Sequence, residues 1–312
     1  MKILKPARLL RGDLIGIISP ASPIADPSRI QDGVRYLESI GYRTIVGKHA
    51  EARNGYLAGT DSQRAADLHG MFRNRHVKAI FCVRGGYGTP RLLPSLDYPL
   101  LRRNPKILAG FSDITALQLA LWHRCRMVTF NGPMVGVDMS PRMDPFAEEH
   151  FWRMLTSGEK AMTIRLGKET TTVLRKGTAQ GRLLGGNLSV LVSLLGTPFM
   201  PPFRGSILFV EDVGEDCYRI DRMMTQLRNA GILESTRGVI TGQFTDCLPM
   251  KSIPDSQTLA DVLRDIAGWL RVPFISGLPF GHYTAKLTLP VGVLARVRTR
   301  VNTLDLLEPV VK

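Results

Sequence analysis

Cysteine is scarce in this sequence. Cys82, Cys125, Cys217 and Cys247 stand far apart, with no Cys-x-x-Cys pair and no histidine at metal-ligand spacing. That excludes a zinc finger or a disulfide scaffold and leaves reduced, partly buried thiols as the expectation. Long apolar runs are missing too: none approaches the ~18–20 residues that span a bilayer, so no membrane partner is expected. The start, Met1-Lys2-Ile3-Leu4-Lys5-Pro6, is positive but lacks the apolar stretch and small-residue cleavage site of an export signal, which points to a cytoplasmic location. Repeats and low-complexity tracts are absent. So is any basic run of five or more, although Lys and Arg outnumber Asp and Glu 41 to 27 for a net charge of +14. A diffuse excess favours small anionic partners, carboxylates as well as phosphates, over nucleic acid. Arg296, Arg298 and Arg300 alternate along a strand-like segment and read as one solvated strand face.

What is there is ordinary globular composition, 44% hydrophobic and 22% charged, over 312 residues. At ~150 residues per domain that length suggests two. Residues 1–150 alternate strand and helix. The apolar run Asp13 to Ser19 is followed by Ser28-Arg29-Ile30-Gln31, which has capping-box spacing ahead of a helix that Gly41 ends. Tyr42 to Val46 reads as strand, and Thr60-Asp61-Ser62-Gln63 as a second capping box opening a helix through Phe72. Strands follow at Val77 to Val83, Lys106 to Ala109 and Met127 to Phe130, with a helix from about Asp113 to Trp122. Short apolar strands separated by helices predict a parallel sheet covered on both faces, with ligands beyond the carboxyl ends of its strands. Residues 151–177 read as a linker broken by Gly158, Gly167 and Gly177. Residues 178–312 predict a mixed, β-rich second domain: strands at Ser206 to Val210 and Val239 to Phe244, helices at Ile220 to Leu227 and Leu259 to Leu270, and alternating β-formers from Tyr283 to Leu307.

Three places carry residues suited to acyl transfer. In Lys106-Ile107-Leu108-Ala109-Gly110-Phe111-Ser112-Asp113-Ile114-Thr115 an apolar strand runs into Gly110, turns at Ser112 and enters a helix at once. That context projects a serine hydroxyl above a sheet beside the unpaired N–H groups of a helix N-terminus. The pattern departs from G-x-S-x-G, since Ile114 replaces the last glycine, and Ser112 also fits a plain helix N-cap. Upstream, Val83-Arg84-Gly85-Gly86-Tyr87-Gly88-Thr89 follows a strand that ends on the same side of the sheet. Its glycines suit an oxyanion donor at the Gly86 N–H, an ordinary turn or a phosphate cradle, although neither a P-loop nor a G-x-G-x-x-G is present. Among six histidines, His49, His69, His76, His123 and His150 lie in helical or surface-type segments. His282 sits in the apolar loop Leu278-Pro279-Phe280-Gly281-His282, suited to a general base or to a structural role. Glu211 leaves the end of the buried run Ser206 to Val210, where a carboxylate needs a partner such as an imidazole. Asp212, Glu215 and Asp216 read as facing solvent or pairing with Arg219 and Arg222; a calcium loop is the rival, without the alternating ligands of an EF-hand.

Together, Gly110-Phe-Ser112-Asp-Ile-Thr-Ala-Leu, Arg84-Gly-Gly-Tyr-Gly-Thr, Gly185-Gly-Asn-Leu-Ser, Phe209-Val-Glu211-Asp-Val-Gly-Glu-Asp-Cys-Tyr-Arg-Ile-Asp-Arg and Gly277-Leu-Pro-Phe-Gly-His282 resemble the LD-carboxypeptidase family of serine peptidases, which includes microcin-immunity peptidases. Gly12-Asp-Leu-Ile-Gly-Ile-Ile-Ser-Pro-Ala-Ser matches as well, so the resemblance runs from about residue 12 to about 300. It implies a flavodoxin-like N-terminal domain and a smaller β-rich C-terminal domain, in a homodimer. It implies a Ser112-Glu211-His282 triad, with the backbone N–H groups of Gly86 and Asp113 as oxyanion donors and no metal or organic cofactor. The implied activity is removal of the terminal D-alanine from murein tetrapeptide during cytosolic cell-wall recycling. A peptidyl-nucleotide substrate is the alternative within the same chemistry. A non-catalytic anion- or nucleotide-binding module is the alternative outside it.

Overall fold

Ile15, Ile17 and Ile18 are all but inaccessible to solvent, as expected of a strand covered on both faces, and the same burial recurs through most of Val77 to Cys82 and Ile107 to Gly110. In the computed structural model these runs are strands of one sheet. The structure describes residues 1–167, 170–250, 252 and 255–312; Lys168 and Glu169 of the expected linker, and Lys251, Ile253 and Pro254 of the expected second domain, lie outside the described residues. The chain forms β1 (Leu14–Ile18), α1 (Ser28–Ser39), β2 (Arg43–Val46), α2 (Asp61–Arg73), β3 (Val77–Cys82), α3 (Thr89–Leu92), α4 (Tyr98–Arg103), β4 (Ile107–Gly110), α5 (Ile114–Cys125), β5 (Thr129–Asn131) and α6 (Pro145–Thr156). It continues through β6 (Met162–Arg165), β7 (Thr172–Arg175), β8 (Thr178–Asn187), α7 (Leu188–Ser193), β9 (Ile207–Val213), α8 (Cys217–Asn229), α9 (Ile232–Ser235), β10 (Gly238–Thr245), α10 (Leu259–Trp269) and β11 (Phe274–Ser276). It ends with β12 (Leu289–Val291), β13 (Leu294–Arg298) and β14 (Thr303–Leu306).

Contacts divide the chain into two units. The first holds Met1–Gly158, Thr284–Gly292 and Val310–Lys312; the second holds Glu159–Tyr283 and Val293–Pro309. In the first, the strand order is β12-β5-β4-β3-β1-β2. β1 to β5 are parallel, and β12 adds an antiparallel edge to β5. The 2-1-3-4-5 order is that of flavodoxin-like sheets, whose ligands bind where the winding reverses, between β1 and β3. α5 is buried along every face from Ile114 to Trp122, which makes it a core helix rather than an amphipathic cover. Inside it, Gln118 donates from Nε2 to the carbonyls of Gly110 (2.9 Å) and Phe130 (2.8 Å), fixing the ends of β4 and β5 to the helix.

The second unit is a mixed sheet of order β6-β14-β13-β8-β9-β10-β11-β7. β8 to β11 run parallel at its centre, and antiparallel pairs close both sides. On β13, Arg296 and Arg298 bond to Gln180 and Asp305 of the neighbouring strands while remaining partly open to solvent, and Arg300 beyond the strand is exposed.

One expected cap is absent. α2 opens on the capping box Thr60–Gln63, as the sequence predicts. At α1 the N-cap is Pro27 and no side chain caps the helix. The Asp26 carboxylate accepts the Ser28 N–H at 2.9 Å, so Ser28 is already inside the first turn and cannot act as the cap.

Candidate active site

Gly110 ends β4, and two residues later Ser112 takes φ +62°, the left-handed conformation that a side chain adopts at a cost of ~1–3 kcal/mol. α5 follows at Ile114 with Asp113, not Ser112, at the N-cap position and no side-chain cap, so the N-cap reading of Ser112 does not hold. The Ser112 carbonyl instead accepts from Thr115 N at 2.9 Å within the first turn. A strand, one strained serine and a buried helix in immediate succession have the backbone form of a nucleophile elbow. Gly110 lets the helix pack tightly behind it: a Cβ there would stand 3.0 Å from Ile114 and 3.2 Å from Cys82.

The glycine-rich loop after β3 lies against this elbow within the same unit. A Cβ on Gly85 would be 2.7 Å from Ser112 Cβ, 2.9 Å from its Oγ and 3.3 Å from Asp113 N, so only glycine allows the approach. Gly86 has φ +100°, and its own Cβ would strike Ser22. Ser22, in the loop after β1, donates its N–H to the Gly85 carbonyl (3.2 Å) and accepts from Tyr87 N (3.0 Å). Among the described residues, the N–H groups of Gly86 and Asp113 make no hydrogen bond within the protein. The Asp113 side chain is buried and accepts from Thr89 N at 2.7 Å, while the Thr89 hydroxyl donates to the Asp113 carbonyl. Burial pushes the Asp113 carboxyl above its usual range, and the Thr89 bonds pull the other way.

In the second unit, Glu211 is completely buried on β9. Its Oε2 lies 2.7 Å from His282 Nδ1 and accepts the His282 backbone N–H at 3.2 Å, which fixes the ring through two points on one oxygen. The imidazole remains 22% exposed. Thr245 donates its hydroxyl to the His282 carbonyl at 2.5 Å. Gly281 has φ +87°, and a Cβ there would fall 2.3–2.4 Å from Glu211 Cγ, Cδ and Oε2. Asn187, at the end of β8, donates to Glu211 Oε1 (3.4 Å) and Asp212 Oδ1 (2.9 Å).

Asp212 corrects the sequence reading. It is buried rather than solvated, and its carboxylate accepts the Ser189 N–H of α7 at 2.8 Å as well as the Asn187 amide. Burial pushes its carboxyl up as well. Glu215 and Asp216 pair with Arg219, as expected. His49 joins Asp67 and His69 accepts from Asp97 N, both structural bonds. All four cysteines are free and buried. Among the described residues, no group of three or more His, Cys, Asp or Glu is placed to hold a metal ion, and no helix is long and apolar enough to cross a membrane.

Residues 15–132 match the model of the LD-carboxypeptidase N-terminal domain, and residues 180–297 that of the C-terminal domain. The chain belongs to the LD-carboxypeptidase family. It is therefore a serine-type peptidase, a hydrolase, which sets aside the non-catalytic binding module. A probable murein peptide carboxypeptidase of Bacillus subtilis is 39% identical over 96% of this chain and 93% of its own. The crystal structure of muramoyltetrapeptide carboxypeptidase from Oxalobacter formigenes superposes with a TM-score of 0.84 at 33% identity, covering 94% of this chain and 97% of that one. The microcin C7 self-immunity protein MccF, in complex with aspartyl sulfamoyl adenosine, superposes with a TM-score of 0.91 at 25% identity, covering 99% of this chain and all of that one. Ser112 lies within the segment matched to the family's first domain, and Glu211 and His282 within that matched to its second. Sequence reasoning missed Gly85, Thr89, Asn187, Thr245 and Gly281 as site residues. Of these, Gly85, Thr89, Asn187 and Gly281 stand inside the motifs that carry the family resemblance, which was the signal available.

Proposed function

We propose that this protein is a serine carboxypeptidase that removes the terminal D-alanine from L,D-linked murein tetrapeptide through a Ser112-His282-Glu211 triad. The observation that carries this reading is the Glu211–His282 pair, a fully buried carboxylate on a central strand set 2.7 Å from Nδ1 of a part-exposed imidazole. A carboxylate so placed selects the tautomer with Nδ1 protonated and stabilises the imidazolium formed when the ring accepts a proton. In this reading His282 Nε2 takes the Ser112 proton as Oγ attacks the scissile carbonyl. The oxyanion is met by the N–H groups of Gly86 and Asp113, and His282 returns the proton to the departing D-alanine amine. Water then enters by the same steps and releases the acyl group from Ser112.

The similarity to MccF favours a second substrate class, a peptidyl- or aminoacyl-nucleotide, for the same catalytic groups. The net charge of +14 suits either anionic substrate. Murein tetrapeptide and an aminoacyl sulfamoyl adenosine, assayed side by side by mass spectrometry, separate them. Free D-alanine from the tetrapeptide is expected; turnover of the nucleotide conjugate alone would transfer the reading to the second class. The reading also includes a cytoplasmic homodimer, which sedimentation velocity checks as a species of twice the 34.6 kDa chain.

A further inference from the structure

Arg64, on α2, is buried with a relative exposure of 1%, an expensive position for a cation unless its donors are used. Nη1 donates to the carbonyls of Pro20 at 2.5 Å and Gly88 at 2.9 Å, and Nη2 bonds to the Asp61 carboxylate. Asp61 is held in turn by Arg91, from Nε and Nη2 at 2.9–3.0 Å. Pro20 and Gly88 belong to the loops that follow β1 and β3, at the reversal of the sheet's winding. Gly88 has φ +134°, and a Cβ on it would stand 2.7 Å from Nη1, so the guanidinium and the glycine are fitted to each other.

The carbonyl of Gly88 and the N–H of Thr89 are the two ends of one peptide group. Arg64 holds the first, and the buried Asp113 carboxylate holds the second at 2.7 Å. That peptide is clamped between a cation and an anion, and the residue supplying the anion immediately follows Ser112. We infer that Arg64 is a positioning residue: through the Gly88–Thr89 peptide it sets the glycine-rich loop against the Ser112 elbow, and so fixes the alignment of the Gly86 and Asp113 N–H groups toward the oxyanion. The inference rests on the proposed roles of Ser112, Gly86 and Asp113. Lysine cannot replace Arg64, because a single ammonium nitrogen lacks the planar fork that reaches two carbonyls and a carboxylate at once.

The test compares full-length wild type, Arg64→Lys and Thr89→Val. The last leaves the clamped peptide in place and removes only the hydroxyl that ties the glycine-rich loop to the Asp113 carbonyl, so it tests the same loop-to-elbow coupling if Arg64→Lys does not fold. Two readouts serve: kcat and KM on murein tetrapeptide, and the rate at which a fluorophosphonate labels Ser112, which does not depend on the peptide substrate. Loss of a whole oxyanion donor typically costs ~10²–10³ in turnover, so misalignment by Arg64→Lys is expected to lower kcat and the labelling rate by about 10–100-fold with KM within twofold. Thr89→Val is expected to lower both by about 3–10-fold. Variants that melt earlier yet keep wild-type kcat and labelling would overturn the inference and leave the proposed function standing. A wild type that neither releases D-alanine nor labels at Ser112 would overturn the proposed function itself.

Discussion

At residue 281 there is no room for one methyl group. Any Cβ there meets the Glu211 carboxylate, so Gly281→Ala must displace the group that orients His282. Displacement of about 1 Å at a catalytic group costs roughly 10²-fold, and that fall in kcat, with far-ultraviolet circular dichroism unchanged, is the expected outcome. Gly85→Ala tests the proposed nucleophile from the other side, because its Cβ would press on Ser112 Oγ; a comparable loss of Ser112 labelling by fluorophosphonate is expected. Lys286 sets a different problem. Its ammonium bonds to Asp138, with side chains 4% and 11% exposed, and lies over the Phe111 ring. Removing one partner of a buried pair typically costs ~3–5 kcal/mol, so Lys286→Met should lower the urea unfolding free energy by about 3 kcal/mol, and Asp138→Asn in the same chain should restore part of it. Of these residues only Ser112, Gly86, Asp113, Glu211 and His282 were singled out from sequence as site residues. Gly85 and Gly281 matter through the space they leave empty, and an absent side chain announces itself only when the neighbour it would strike is known.

At the scale of elements, β1 to β5 and helices α1, α2, α5, α8 and α10 were legible because their apolar spacing is strong, whereas α6, β6 and β7 fall in or beside the stretch read as a linker; the Ser28 and Thr60 capping boxes were visible as patterns. One formed and one did not, because Asp26 and Pro27 start α1 before Ser28 could cap it. α3 and α4 were not foreseen: Pro90, Pro94 and Pro99 break the helical pattern of that stretch while fitting the first turns of short helices. α10 offers a pH test. Its Thr258–Asp261 capping box, with the Thr258 hydroxyl foremost, holds the Asp261 carboxyl down at about 2. A carboxyl lowered on folding contributes stability that is present above its unfolded value near 4 and is lost as pH falls through about 2. Asp261→Asn should therefore melt earlier than wild type at pH 7 and at the same temperature as wild type near pH 2, measured by calorimetry at both.

For the molecule as a whole, the sequence conveyed the parallel sheet and the β-rich second part, yet it concealed how the charge excess is used. Arg43, Arg53, Arg84, Arg102 and Lys106 all donate to backbone carbonyls, at Gly12, at Ile24 and Ala25, at Pro23, at Cys125, and at Asn74 and Val77. Part of the scattered basicity thus braces the backbone, a use that composition cannot reveal because its acceptors carry no side-chain signature. Also concealed was the return of Leu289–Val291 to the first sheet, a long-range pairing with β5 that local alternation cannot distinguish from pairing within the second. A fragment of residues 1–158 lacks that strand and leaves β5 as an open edge, so size-exclusion chromatography should show it aggregating. In the proposed mechanism Ser112 carries the acyl group. Rapid quenching of the enzyme with murein tetrapeptide, followed by peptide mapping, measures this directly. The expected result is a mass increment on Ser112 equal to the tetrapeptide less the free D-alanine released, and no turnover by Ser112→Ala. Release of D-alanine by Ser112→Ala at the wild-type rate would contradict it.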